Sequence, residues 1–118
     1  MKELLGEKLI FIDGGLGTML GDIDVSPAEL NMTDPQKVMA VHRAYAKSGA
    51  HIITANTFGA NRIKLEGTGY SVSEVINKAL CLVREAAPGK LAALDIGPTG
   101  SLLKPFGNMD FEEAYDIF

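Results

Sequence analysis

His51-Ile52-Ile53-Thr54-Ala55-Asn56 is a short apolar run rich in β-branched residues, which is typical of a β-strand. Two similar runs lie on either side of it along the chain, Leu9–Ile12 before a glycine-rich turn and Leu91–Ile96 before Gly97-Pro98. Because continuous apolar runs that end at glycine favour strands buried on both faces, we predict three strands of a parallel sheet.

Helical patterns lie between these strands. The first helix is expected to have Thr33 as its N-cap, a proline in its first turn and Gly49 at its end. The second begins at Ser71, where a glutamate three residues later completes a capping box, and ends at Pro88-Gly89. A third starts at Asp110. Alternating strands and helices imply right-handed crossovers, and strand starts roughly 40 residues apart are close to one βα unit of a (β/α)8 barrel with its loops.

Composition narrows the classes of function. The chain has 118 residues, a net charge of -4 and 47% hydrophobic residues, which fits a soluble globular protein and argues against nucleic acid or an anionic membrane as the partner. The single cysteine, Cys81, permits no intrachain disulfide and fits a reducing, cytoplasmic setting. Residues 1–8 and the short apolar run after them predict no signal peptide, and no stretch is long enough to span a membrane.

Each predicted strand is followed by a cluster of polar residues and glycines, at residues 13–18, 56–61 and 95–100. In parallel α/β folds, ligands bind beyond the carboxyl ends of the strands. The three clusters therefore predict a ligand site at one end of the sheet, although βα loops also need glycine simply to turn.

The polar residues of these clusters have structural alternatives. Asp13 either holds its loop or binds a substrate ammonium group. Asn56 and Thr57 are expected first of all to satisfy backbone groups of their loop. Asp95 either pairs with a neighbouring side chain or serves the ligand.

Other chemically interesting residues are interpreted as structural. His42 is expected to be a partly exposed residue of the first helix, and Cys81 is expected to pack within the second. Gly14, Gly15 and Gly17 suggest a phosphate loop, but their spacing matches neither of the common nucleotide-binding motifs.

Ordered segments of the chain resemble the homocysteine S-methyltransferase family. Its D-G-[AG]-x-G-T, P-x-E-L-N, V-H-x-x-Y, T-N-T-F-G-A-[NT]-R and D-I-G-P-T-G motifs are matched, in this order, by residues 13–18, 27–31, 41–45, 54–62 and 95–100. The last of these, with Pro105-Phe106-Gly107 after it, is most similar to the N-terminal homocysteine domain of the cobalamin-dependent branch.

The resemblance implies a (β/α)8 TIM barrel, of which residues 1–118 would be the N-terminal part, about three βα units of a homocysteine-binding domain cut within its third helix. It implies transfer of a methyl group to the sulfur of homocysteine to give methionine. The resemblance favours methylcobalamin charged from methyltetrahydrofolate as the methyl donor, and betaine and S-methylmethionine are the alternative donors for a barrel of this family. A zinc ion held by three cysteines would keep the sulfur deprotonated. Those cysteines are expected on later strands, and Cys81 matches none of them.

For this chain the resemblance implies substrate-binding residues, with no catalytic residue and no metal ligand. Asp13, Gly14 and Gly15 would hold the ammonium and carboxylate groups of homocysteine, with Asn56 and Thr57 nearby. The alternative hypothesis is a stand-alone α/β module that binds a metabolite or phosphate without catalysis.

Overall fold

The computed structural model describes Gly6 and residues 9–118; the other N-terminal residues, for which the sequence predicts no signal peptide, lie outside the described part. Its elements, in chain order, are α1 Leu16–Leu20, a 3₁₀ turn Pro27–Glu29, α2 Leu30–Thr33, α3 Pro35–Lys47, β1 Ile52–Thr54, α4 Val72–Ala86, β2 Leu91–Ala93 and α5 Phe111–Ile117. None of the helices in this part of the chain has the length and apolar character needed to cross a bilayer.

The sheet is parallel, as predicted. β1 and β2 pair in register from Ile52 opposite Leu91 to Thr54 opposite Ala93. Both strands are shorter than the apolar runs that predicted them, because the last residues of each run turn away into the loops at the strand ends.

The predicted first strand is not a regular strand. It runs parallel to β1 but forms a single bridge, between Ile12 and Ile52. The Phe11 carbonyl accepts from the His51 N–H at 2.8 Å, whereas the Phe11 N–H donates to the ring Nδ1 of His51 at 3.1 Å. In a regular ladder the Phe11 N–H would donate to a backbone carbonyl of the neighbouring strand. Because it donates to the His51 side chain instead, the ladder ends at this point.

The long helices lie where the sequence predicts them, with one correction at a cap. Ser71 and Glu74 form the predicted capping box of α4. The N-cap of α3 is Asp34, whose carboxylate accepts from the Lys37 N–H, and not Thr33. Thr33 instead ends the preceding short helix α2, where its hydroxyl donates to a carbonyl one turn earlier. Asp110 precedes α5 without a side-chain capping bond.

The core lies between α3, α4 and one face of β1. Val38 and Leu82 belong to the cluster where the two helices meet, and Val83 packs with Ile53, which is completely buried. This packing fixes the helices below the sheet, so that the loops after each strand emerge together at its carboxyl end.

Two side-chain predictions on these helices are wrong. His42 is 0% exposed, not partly exposed, because it lies one turn after Val38 on the buried stripe of α3. Cys81 is exposed rather than packed, because the buried stripe of α4 runs through Ala79, Leu82 and Val83 and leaves position 81 on the outside.

Candidate functional site

A cavity of about 610 Å³ opens at the carboxyl ends of the strands, where the sequence predicts a site. Its walls come from the loops after the first extended segment, β1 and β2, together with the chain just before the 3₁₀ turn. The lining residues are Gly14 to Gly17, Ser26, Pro27, Thr54 to Asn56, Phe58, Gly59, Lys64 and Asp95.

Gly14 and Gly15 form one wall of this cavity and are held against α3. The Tyr45 hydroxyl donates to the Gly15 carbonyl at 3.2 Å. A Cβ atom at Gly14 would lie 2.9 Å from the same hydroxyl, so any side chain there would displace the Tyr45 ring. Glycine at this position therefore lets the loop approach the helix and leaves backbone groups on the cavity side.

Asp13 lies beside the main cavity rather than in its lining. One carboxylate oxygen accepts from the Thr54 N–H at 2.8 Å and the other from the Thr54 hydroxyl at 2.6 Å. A carboxylate has about four acceptor positions, so roughly two remain for another donor. Asp13 borders a smaller cavity of about 250 Å³, which it shares with Gly14 and Tyr45.

Asn56 is buried and lines the main cavity. Its side-chain amide donates to the Pro27 carbonyl. Its own carbonyl accepts from the side chain of Asn31 at 2.8 Å, and Asn31 also donates to Ala28 at 2.9 Å. This network joins the end of β1 to the 3₁₀ turn. The P-x-E-L-N motif contains Asn31, but the sequence alone did not indicate that it supports the cavity.

Thr57 is buried and joins the ends of the two strands. Its hydroxyl donates to the Asp95 carbonyl at 2.8 Å and accepts from the Asp95 N–H at 2.9 Å. Thr57 is absent from the lining of the main cavity and borders a narrow one of about 70 Å³. It satisfies loop backbone groups, which is the structural role that the sequence suggests for it.

Lys64 and Asp95 add charges of opposite sign to the lining of the main cavity. The sequence indicates ligand binding as one of two possible roles of Asp95, whereas it indicates no such role for Lys64. No sequence signal separates Lys64 from the other scattered lysines, because its place depends on how the loop after β1 folds back over the strand ends.

A zinc ion does not fit the residues that the structure describes. Among residues 9–118, no three histidine, cysteine, aspartate or glutamate side chains are close enough to hold a metal ion. Cys81, the single thiol of the chain, lies on the exposed side of α4, away from the strand ends. We therefore derive no chemical step through a metal from these residues.

Comparisons with known proteins indicate the family and the fold of the chain. A family model described as homocysteine S-methyltransferase matches residues 10–118. A methionine synthase of Mycobacterium leprae is 32% identical over 69 residues, which cover 50% of this chain and 6% of that protein. The crystal structure of the homocysteine methyltransferase MmuM from Escherichia coli, in its metallated form, matches with a TM-score of 0.67 and 23% identity, over 80% of this chain and 40% of that one. The chain thus spans less than half the length of either protein.

Proposed function

This chain belongs to the homocysteine S-methyltransferase family, and on that premise we propose that it forms the homocysteine-binding start of an enzyme that methylates the sulfur of homocysteine to give methionine. The observation that carries the proposal is the cavity at the strand ends, whose lining, apart from Ser26 and Lys64, comes from the segments that match the family motifs. The proposed architecture is the N-terminal part of a (β/α)8 barrel. A stand-alone binding module is not favoured, because the family match extends along nearly the whole chain.

The proposed task of this chain is to hold the amino-acid end of homocysteine. Gly14 and Gly15 offer backbone groups to its carboxylate, and Asp13 offers its remaining acceptor positions to its ammonium group. Asn56 forms part of the cavity lining. Thr57 stabilises that lining because its hydroxyl joins the ends of β1 and β2. The sulfur then points away from these loops, so the groups that activate it belong to other parts of the enzyme.

The cofactors and partners are proposals at the level of the whole enzyme. We propose zinc as the resident metal, with ligands outside residues 9–118. Methylcobalamin, charged from methyltetrahydrofolate, is the proposed methyl donor, and the motif at residues 95–100 and the similarity to a methionine synthase support this choice. The proposed location is the cytoplasm.

Binding of homocysteine and of an analogue that lacks the amino group tests the role of Asp13 in the full-length protein. We expect Asp13→Asn to weaken homocysteine binding roughly ten- to a hundredfold, since a charged hydrogen bond contributes about 1.5–3 kcal/mol. Binding of 4-mercaptobutanoate, which has the thiol and carboxylate but no ammonium, should change much less. Asp22→Asn, at an exposed aspartate on the loop after α1, is the matched control.

Two outcomes would contradict the proposal. A wild-type protein that binds neither homocysteine nor its analogue would remove the assigned substrate. Equal weakening of both ligands by Asp13→Asn would show that Asp13 acts on the site only through its bonds to Thr54.

A further inference from the structure

Lys64 contributes a positive charge to the lining of the main cavity. Among residues 9–118, no carboxylate lies within salt-bridge distance of its Nζ, and the ion pair found there joins Lys104 to Asp110. The Nζ lies instead 5.1 Å from the centroid of the Phe58 ring. A cation–π contact holds an ammonium group in place and leaves its hydrogen-bond donors available to a ligand.

The loops at the strand ends fix the position of Lys64. Asn61 accepts from the Lys64 N–H at 3.0 Å and donates its side-chain amide to the Pro98 carbonyl at 3.3 Å. A Cβ at Gly97 would lie 2.8 Å from the Phe58 ring and would also collide with the Phe58 carbonyl. The glycine thus allows the Phe58 ring to pack against the loop after β2, with the Lys64 Nζ over the ring.

The charges of the cavity select the class of anion that Lys64 can bind. Asp95 lines the same cavity, so the lining carries one positive and one negative side chain. A phosphate dianion would be attracted by Lys64 and repelled by Asp95, whereas a zwitterionic α-amino acid presents an anion and a cation together. The glycine loop lines the same cavity and supplies backbone groups but no charge.

We propose that Lys64 binds the α-carboxylate of the substrate and thereby selects amino-acid thiols over simple thiols. This inference rests on the proposed function, since it takes homocysteine as the ligand. Lys64 supplies the charge, and the backbone of Gly14 and Gly15 supplies neutral donors to the same group. A charge-assisted hydrogen bond of this kind is about twice as strong as a neutral one.

The test compares homocysteine with 3-aminopropane-1-thiol, which keeps the thiol and amino group but lacks the carboxylate. In the full-length protein, Lys64→Met should weaken binding of homocysteine roughly ten- to a hundredfold and leave binding of 3-aminopropane-1-thiol nearly unchanged. Lys64→Arg keeps the charge and should restore most of the preference for homocysteine. Lys78→Met, at an exposed lysine on α4, is the control.

The outcomes separate this inference from the proposed function. If the wild-type protein binds homocysteine and Lys64→Met retains its preference over 3-aminopropane-1-thiol, the role of Lys64 is overturned and the proposed function stands. If the wild-type protein does not bind homocysteine, both are overturned. If Lys64→Met loses both ligands and Lys64→Arg loses them equally, Lys64 is structural and the inference fails.

Discussion

His42 is the buried ionisable residue of α3 that the proposed function does not use. It is 0% exposed, and neither ring nitrogen has a hydrogen-bond partner. Burial lowers the pKa of His42 below its ordinary value, and the nearby negative charge of Asp13 partly offsets that effect. The neutral ring is therefore the form that the folded protein prefers.

This residue predicts a loss of stability in mild acid. The unfolded chain takes up a proton near the ordinary histidine pKa of about 6.5, whereas folded His42 takes it up at lower pH. The free energy of unfolding should thus be at its full value above about pH 7 and fall as the pH drops through about 6.5 toward 5. Denaturant unfolding at several pH values, on wild type and His42→Leu, measures it.

His42→Leu should flatten this dependence without a large loss of stability at neutral pH, because an apolar side chain of similar size leaves no polar atom unsatisfied. Val38→Ala, one turn earlier on the same stripe, is the control. It should destabilise the protein by about 0.5–2.5 kcal/mol at every pH, through lost packing alone. An equal pH dependence in wild type and His42→Leu would assign the effect to other groups.

The lining of the candidate site could be predicted in part from individual residues of the sequence. The glycine loop and Asn56 line the cavity, as expected for residues just after buried strands. Lys64 could not be predicted, because nine residues of irregular loop separate it from β1 and no periodicity places such a residue. The buried position of His42 is consistent with its spacing of four residues from Val38, which places the two on the same face of α3.

The cap of α4 is the best-defined helix start in the chain. The Ser71 hydroxyl accepts from the Glu74 N–H at 3.2 Å, and the Ser71 hydroxyl and N–H donate to Glu74 Oε2 at 2.6 and 2.9 Å. The two bonds that Glu74 Oε2 accepts lower the pKa of the Glu74 carboxyl, and the bond from the Ser71 hydroxyl has the larger effect. The cap fixes where the helix leaves the loop that carries Lys64.

Ser71→Ala should destabilise the protein by about 1 kcal/mol, since the Glu74 N–H in the first turn of α4 loses its side-chain acceptor. Thermal or denaturant unfolding measures the difference. Ser73→Ala, two residues later on the exposed side of the same helix, is the matched control and should change stability by less than about 0.5 kcal/mol. Equal effects of both substitutions would show that the capping box contributes nothing to stability.

At the element scale, the prediction succeeded where a long pattern was present. The amphipathic stripes of α3 and α4 specify those helices over three or more turns. The short helices α1 and α2 were missed, because four or five residues show no periodicity and are held by contacts with α3. The segment at Leu9–Ile12 has the composition of a strand but lacks a continuous ladder, which depends on its neighbours in space.

The whole molecule is less compact than its length allows. Its radius of gyration is 15.7 Å, compared with about 13.5 Å for a compact domain of 118 residues. Large apolar side chains remain exposed in the extended segments next to the sheet. They include Leu9, 80% exposed, in the segment that runs beside β1, and Ile96, 68% exposed, in the segment that follows β2. The described part therefore buries its apolar groups incompletely.

The helices leave one side of the sheet exposed to solvent at β2. Ile53 of β1 is completely buried under the helices, and its register partner Ala92 is exposed. Leu94 and Ile96, which follow β2 directly, are exposed as well. The helical layer thus covers β1 and ends before the far side of β2, as expected for a parallel sheet that continues with further βα units.

Leu94→Lys should therefore have opposite effects in two forms of the protein. Residues 1–118 produced alone should self-associate, since they expose an apolar sheet face and an open edge, and the added charge should reduce that association. In the full-length protein, the next βα unit of the proposed barrel covers Leu94. There the same substitution should lower stability by about 2–4 kcal/mol, because it buries an unpaired charge. Sedimentation over a range of concentrations measures the first effect, and denaturant unfolding measures the second.

Ser73→Lys adds the same charge on the exposed side of α4 and should change neither measurement, which makes the comparison specific to the sheet face. If residues 1–118 remain monomeric and Leu94→Lys leaves the full-length protein as stable as wild type, this face is solvent-exposed in both forms. The sheet would then end at β2, and the barrel proposed for this chain would be wrong even though its parallel strands and its cavity remain. The substitution therefore tests the architecture separately from the binding experiments on Asp13 and Lys64.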